Sequence, residues 1–337
     1  MERADERPLA FDPRARLPLR RGHPRLRLYP VLNRILVIRG GALGDFVLTL
    51  PAIKLLRDRF PQAWLEILGS KHIVALAEKR FYADAIRSLD SASFARFFAN
   101  DSELPSDLAG YFRGFDLIVS YLFDPDGIFE ANLKRCGVQT FISGSPRLDH
   151  REHAALQLAR PLETLGLRLE NSAARIYPSE SDRDFARGFL GHPSDRIIAL
   201  HPGSGSETKN WPIANWQKLG NDLLAHDREL VIVSGEADEE RAGLLESAWK
   251  GKAVQFARNL PLPHLAAVLE NTIFIGHDSG ISHVAAAVGA RCILLFGWTD
   301  PAIWAPANEN VTVLRAPGEK LGDLEVDAVV AALRLTS

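Results

Sequence analysis

"RILVIRGGALGDFVLTLPAIKLL", residues 34–56, sets the architecture. Ile35–Ile38 is a short β-favouring apolar run, and Gly40, Gly41 and Gly44 make a flexible turn. From Phe46 to Arg59 the period becomes helical, with Val47, Leu50, Ile53, Leu55 and Leu56 apolar and Lys54, Arg57, Asp58 and Arg59 polar. Strand, glycine turn and helix open a βα unit, whose helix N-terminus and loop amides ordinarily attract an anion. Yet the turn ends in Asp45, which would repel one.

The known nucleotide fingerprints fail at this turn. The glycines do not follow GxGxxG, and no Gly-Lys-Ser/Thr succeeds them. A dehydrogenase also needs an acid closing its second strand, whereas Glu66 lies inside "WLEILGS". Asp45 has two compatible readings. Aspartate is a favoured N-cap, its oxygens taking orphan amides. A carboxylate kept ionised by amides at a strand end also serves as a proton acceptor for an alcohol.

Outward from this unit the alternation continues. Trp64–Leu68, Ile86–Leu89, "FDLIVSY" and Thr140–Ile142 read as strands; Lys71–Glu78, Ile128–Arg135 and the long "DHREHAALQLARPLETLGL" read as helices. The pattern restarts at Ile197–Leu200 and runs through strands at Glu229–Ser234, Ala253–Phe256, Ile273–Ile275, Cys292–Phe296 and Val311–Leu314, with helices between and a last helix near Asp323–Leu335. The chain is therefore α/β, with two doubly wound, Rossmann-like parallel-sheet domains. The polar stretch "YPSESDRDFARGFLGHPSDR" places the boundary, giving 34–180 and 181–337, with the last helix free to pack back on the first domain. Facing sheets of this kind put their C-terminal strand ends across one cleft.

At 337 residues and 46% apolar composition, the chain can fill two cores. A net charge of −2 argues against nucleic acid as a partner. Cys136 and Cys292 are far apart and lack zinc spacing, which suits two buried thiols in a reduced, cytoplasmic compartment. No apolar run reaches the ~18 residues of a membrane span. Residues 1–33 stand apart, with eight Arg against four acids in residues 1–27. They read as a flexible basic extension, or as one that touches the anionic inner membrane face.

Two later loops carry further chemistry. "HPGSGSETKNWPIANW", residues 201–216, follows a strand; Gly205 and its neighbours let amides approach an anion, Ser204, Ser206 and Thr208 offer hydroxyls, and Lys209 offers a positive charge. The plain alternative is a polar loop with a surface lysine. In "IFIGHDSGISHVAAAVGARCILLFGWTDP", Asp278, Ser279 and Gly280 open a helix and His283 lies on its first turn. Asp278 there reads as an N-cap, His283 as a core histidine, and His277, Asp278 and His283 are too few for a metal site. Asp124 and Asp126 form only a three-residue DxD match.

Together these stretches resemble glycosyltransferase family nine, the heptosyltransferases. The likeness spans residues 34–60 and 197–306, through "ILVIRGGALGDFVLTLPAIKLLRDRFP", "HPGSGSETKNWP" and "NLPLPHLAAVLENTIFIGHDSGISHVAAAVGARCILLFGWTDP". It implies a GT-B fold and inverting, metal-independent transfer of a sugar, often from ADP-heptose, to a lipopolysaccharide core or other lipid-linked or free glycan, with no cofactor. Under it, Asp45 falls on the catalytic base and Lys209 on the lysine that meets the donor phosphates. Asp278, Ser279, Gly280 and His283 fall on nucleotide-sugar contacts, and Glu240 near an acid that meets the ribose. Gly40, Gly41 and Gly44 then lie on the acceptor side. "LFDPDGIFEANL" departs from the family's Asp-Gln-Gly-like run, which leaves the acceptor open. A nucleotide-sugar 2-epimerase and a non-catalytic nucleotide-sugar binder share the same two-domain design.

Overall fold

The computed structural model describes residues 32–90, 92–100, 103–149, 151–192 and 196–335. The basic extension, apart from Leu32 and Asn33, lies outside the described residues.

Strands β1 (Arg34–Arg39), β2 (Trp64–Gly69), β3 (Ala85–Ser88), β4 (Leu117–Ser120) and β5 (Phe141–Ser143) form a parallel sheet in the order β3-β2-β1-β4-β5. It is flanked by α1 (Leu43–Arg59), α2 (Lys71–Val74), α3 (Ser106–Arg113), α4 (Ile128–Arg135) and α5 (Ala154–Ala159). β1 is central, and Ile35, Leu36, Val37 and Ile38 are each 0% exposed. Because side chains alternate, Ile35 and Val37 enter the core under α1 and α5, while Leu36 and Ile38 enter the core under α3 and α4. Each such burial stabilises by about 1.5–3 kcal/mol.

The second sheet joins β6 (Ile197–Leu200), β7 (Glu229–Ser234), β8 (Val254–Arg258), β9 (Ile273–His277), β10 (Arg291–Phe296) and β11 (Val311–Arg315) in the order β11-β10-β9-β6-β7-β8, again parallel. Around it lie α6 (Glu180–Leu190), α7 (Ile213–Ala225), α8 (Glu239–Ala248), α9 (Leu262–Leu269), α10 (Gly280–Val288), α11 (Pro301–Trp304) and α12 (Val326–Leu335). Strand order reverses direction between β1 and β4 in one sheet and between β6 and β9 in the other. Loops at such switch points are where open α/β sheets take ligands.

The sheets are joined along α1 and α10. Val284 and Ala287 of α10 and Ala266 of α9 lie in the same apolar cluster as Val47, Leu50 and Ile53 of α1. Polar links flank this seam: Ile176 N–H to Ala287 C=O at 2.9 Å, Asn308 Nδ2 to Ala174 C=O at 2.9 Å, and Arg80 to buried Asp182 at 2.6 Å.

Several elements depart from the sequence reading. The polar stretch read as the domain boundary contains α6, started by Ser179 capping Asp182 N–H and by the Asp182 carboxylate returning to Ser179 N–H. α6 belongs with the second sheet, where Arg183 grips Glu270 after α9 with two 2.7 Å bonds. The long helix expected over 149–167 is α5 followed by a tighter 3₁₀ segment at Arg160–Leu165, because Pro161 lacks an N–H and ends the α pattern. The helix expected over Lys71–Glu78 stops after one turn at Val74. α12 does not pack back on the first domain; Val326, Val329, Ala332 and Leu333 are buried with α7 against the second sheet. Cys136 and Cys292 are free and buried in different cores. Among the described residues, no helix is long and apolar enough to cross a membrane.

Two glycines test this packing. A Cβ on Gly220 of α7 would come within 2.2 Å of the Trp249 ring, so Gly220→Ala should destabilise by about 1–3 kcal/mol. Gly243 of α8 has nothing within 4 Å, so Gly243→Ala should instead stabilise by about 0.5–1 kcal/mol through helix propensity. Urea melts of the two variants should move in opposite directions.

Candidate active site

The loops after β1, β6, β9 and β10 meet where the N-termini of α1 and α10 face each other. A Cβ on Gly280 would lie 2.9 Å from Gly44 N and 2.8 Å from Leu43 Cβ; one on Gly44 would lie 3.5 Å from the His283 ring. Both positions therefore hold glycine for a close approach of two backbones. Gly40 rests against Leu122.

α1 begins at Leu43 with Ala42 as its N-cap, so Asp45 is the third helical residue and not the cap. Its Oδ2 accepts the Ala42 N–H at 3.0 Å, and Gly41, at φ +94°, clears room that a Cβ would take 2.8 Å from that oxygen. Oδ1 lies 3.7 Å from Arg39 Nη2, and the side chain is 37% exposed. Arg39 closes β1 and is buried, with Nε donating to Thr49 Oγ1 at 3.0 Å and Nη2 making no hydrogen bond. Burial lowers the Arg39 pKa, opposed by Asp45 and Tyr121. One carboxylate oxygen is thus fixed and the other is left beside a guanidinium.

Across the seam, Ser279 and not Asp278 caps α10; its Oγ accepts from Ser282 N–H. Asp278 instead binds Lys209 Nζ at 2.6 Å, with both side chains largely covered. The ammonium also lies 5.6 Å from the centre of the Trp298 ring. Ser204 is buried and staples its own loop, donating toward Ser206 C=O at 2.8 Å and Asn210 Oδ1 at 3.0 Å. Ser206 and Thr208 pair with each other at 2.9 Å near the surface, and Gly205 is exposed. Glu240 is exposed on the first turn of α8, and Asp238, just before that helix, is buried and turned toward His201.

Asp238 Oδ2 lies 3.1 Å from His201 Nε2, and His201 Nδ1 lies 3.3 Å from Ser279 Oγ. Burial opposes ionisation of Asp238, but the His201 bond and charge together hold its pKa below the usual value. His277 is fully buried, its Nε2 accepting Trp211 N–H at 2.9 Å and its Nδ1 facing Gly203 C=O at 3.3 Å. Desolvation, helped by His201, lowers its pKa to about 3, so it is a neutral structural imidazole.

His283 connects the two lobes. Desolvation lowers its pKa to about 4; Asp278 and Asp45 oppose that, while His153 and Lys209 reinforce it. His153 itself crosses the seam, with Nε2 2.8 Å from Ala305 C=O. The first lobe's Asp45 and the second lobe's Asp278 and Lys209 therefore act on one buried ring. Among the described residues, no group of three or more His, Cys, Asp or Glu is placed to hold a metal. Asp124 caps α4, taking the Phe129 and Glu130 amides at 3.0 Å.

Arg39, His153, His201, Asp238 and Trp298 escaped the sequence reading. A cation closing an apolar strand, as in "RILVIR", and a histidine directly after "IIAL" were available signals. Asp238 sits among three other acids in "EADEE", where only the fold separates inward from outward.

Two parallel-sheet domains with convergent polar loops across their seam define a protein of the GT-B class. Residues 148–329 match the model of glycosyltransferase family 9 (heptosyltransferase), and the chain belongs to that family of glycosyltransferases. It is 26% identical to lipopolysaccharide heptosyltransferase 3 of Escherichia coli, over 80% of this chain and 84% of the relative. In fold it is similar to a family 9 glycosyl transferase from Veillonella parvula, with a TM-score of 0.75, 19% identity and coverage of 90% and 97%. The E. coli ADP-heptose lps heptosyltransferase II gives a TM-score of 0.73, 16% identity and coverage of 90% and 98%.

Buried His277 gives a pH-dependent test. Its folded pKa lies near 3 against an ordinary 6.5, so its neutral burial supports the fold fully above pH 6.5 and is lost as pH falls toward 3. Stability should fall across that window with a contribution approaching about 1.4 kcal/mol per pH unit. His277→Gln, which keeps an acceptor for Trp211 N–H, should flatten that slope by about one proton in urea melts run across the window.

Proposed function

We propose that the chain is an inverting heptosyltransferase that moves heptose from ADP-heptose to a saccharide of the lipopolysaccharide core. The observation that carries this reading is the close approach of Gly44 and Gly280, which sets Asp45 at the tip of α1 opposite the loop that holds the Lys209–Asp278 pair. The names of the relatives support the sugar and the nucleotide.

In this scheme the donor diphosphate lies at the N-terminus of α10, beside Lys209, and not at the glycine turn. Helix N-termini and cations suit a diphosphate, while Asp45 would repel it from α1. The acceptor hydroxyl approaches on the Asp45 side. Its oxygen attacks the anomeric carbon as its proton passes to the free Asp45 oxygen. The bond from that carbon to the diphosphate oxygen breaks on the opposite face, which inverts the centre. Lys209 and the α10 amides take up the charge that grows on the leaving group. Asp278 holds the ammonium ready before donor arrives. No resident cofactor or metal is required by this division of labour. In this reading the acceptor is a lipid-linked or free glycan, and the eight Arg of residues 1–27 suit contact with an anionic membrane face on its cytoplasmic side.

Asp45→Asn should lower kcat about 10²–10⁴-fold while donor affinity stays close to wild type. Transfer at the wild-type rate would remove Asp45 as the base. Lys209→Ala should weaken donor binding and cost transfer about 10²-fold, the scale for losing one aimed donor. ADP release that requires acceptor, and continues in a chelator, is expected; release or epimerisation without acceptor would defeat the proposal.

A further inference from the structure

Trp298 is 55% exposed, although it stands on a rigid mount. Only Gly297 separates it from the end of β10. On one side Gly297 is pressed against the Glu319 carbonyl, which a Cβ would approach to 2.9 Å. On the other, Thr299 is buried, and Asp300 caps α11 by accepting Ala302 N–H at 3.0 Å. The loop is thus held at both ends while a large indole is left in water. Trp298 is not part of the second core, in which Trp211, Trp216 and Trp249 are buried. The ring instead lies beside the Lys209 ammonium, which Asp278 anchors from another direction.

We infer that Trp298 is the stacking platform for the sugar of the nucleotide-sugar donor, and so a specificity-determining residue for what is transferred. The inference rests on the proposed function, since it takes Lys209 as the phosphate contact. The sugar is the group bonded directly to the phosphate next to the breaking bond; the nucleobase lies a ribose and a second phosphate further away. A ring 5.6 Å from the phosphate-seeking ammonium therefore reaches the sugar first. Sugar rings present C–H faces, and an indole presents a flat apolar surface that is already ordered, so little side-chain freedom is lost on stacking. Trp298 also covers one side of Lys209, which keeps water from the charge that the leaving group needs.

The test compares each diphosphate with its sugar-bearing form. Wild type, Trp298→Phe and Trp298→Ala are titrated with ADP and ADP-heptose, and with UDP, GDP and their glucose conjugates, following tryptophan emission and calorimetric Kd. Trp298→Ala should bind the sugar nucleotide roughly 5–10-fold more weakly and leave the Kd for the free diphosphate within about twofold. Trp298→Phe should recover most of the difference, and the sugar-dependent emission change should vanish in both variants. Equal losses for ADP and ADP-heptose would mean that the ring serves the nucleotide or only steadies Lys209, and would overturn the inference. So would unchanged affinity for both. If wild type prefers another sugar nucleotide over its diphosphate through Trp298, the platform stands and the heptose assignment falls. If no sugar nucleotide binds wild type, both fall.

Discussion

Gly44 and Gly280 let two helix N-termini from different sheets come into backbone contact, and the site is built around that contact. Any larger side chain at Gly280 would push against Leu43 and the Gly44 amide. Separating the helices would move Asp45 away from the loops of the second sheet. The same seam is sealed below by Val284 and Ala287 against the α1 core, so apolar packing along the helices fixes the polar geometry at their tips. Small residues here do what flexible turns are usually credited with: they set a distance.

Each lobe brings to this contact charges that are already paired within it. Arg39 is buried with an unsatisfied nitrogen, and Asp45 is its nearest carboxylate. Lys209 is paired with Asp278, and Asp238 with His201. Between these pairs, His277 and His283 are kept neutral by burial. In the proposed scheme an arriving diphosphate meets a cation that Asp278 already positions, while Asp45 stays on the opposite lobe. On that scheme an acid can close the glycine turn because the second domain supplies the anion-binding elements.

The parallel sheets were legible because apolar runs such as "ILVI" and "IIAL" are buried on both faces, and their composition does not depend on which helix covers them. The three loops were legible because strand, glycine and helix follow one another within a few residues. α6 was not, since its polar face dominates "ESDRDFARGFL" and only its capping box marks a start. The split of the 149–167 segment was written in Pro161 but masked by strong apolar spacing on either side. Taking Asp45 and Asp278 for N-caps failed for one reason: Ala42 and Ser279 hold the non-helical backbone that capping requires, and residue type alone does not reveal it. Among the acids of "EADEE", the fold turns Asp238 inward and leaves Glu240 exposed, a difference that residue type does not reveal.

The sequence by itself determined the two alternating βα runs, the three polar loops and the residue types in them, because hydrophobic period and turn chemistry act over a few neighbouring residues. Only the tertiary structure decided which side chains share a space. Arg39 beside Asp45, Asp278 on Lys209, His201 between Asp238 and Ser279, and Trp298 over the ammonium are contacts across 6 to 89 positions of chain. Burial, charge and hydrogen bonding operate through distances of a few ångströms, and those distances exist only after each sheet has gathered its own strand ends and helix N-termini.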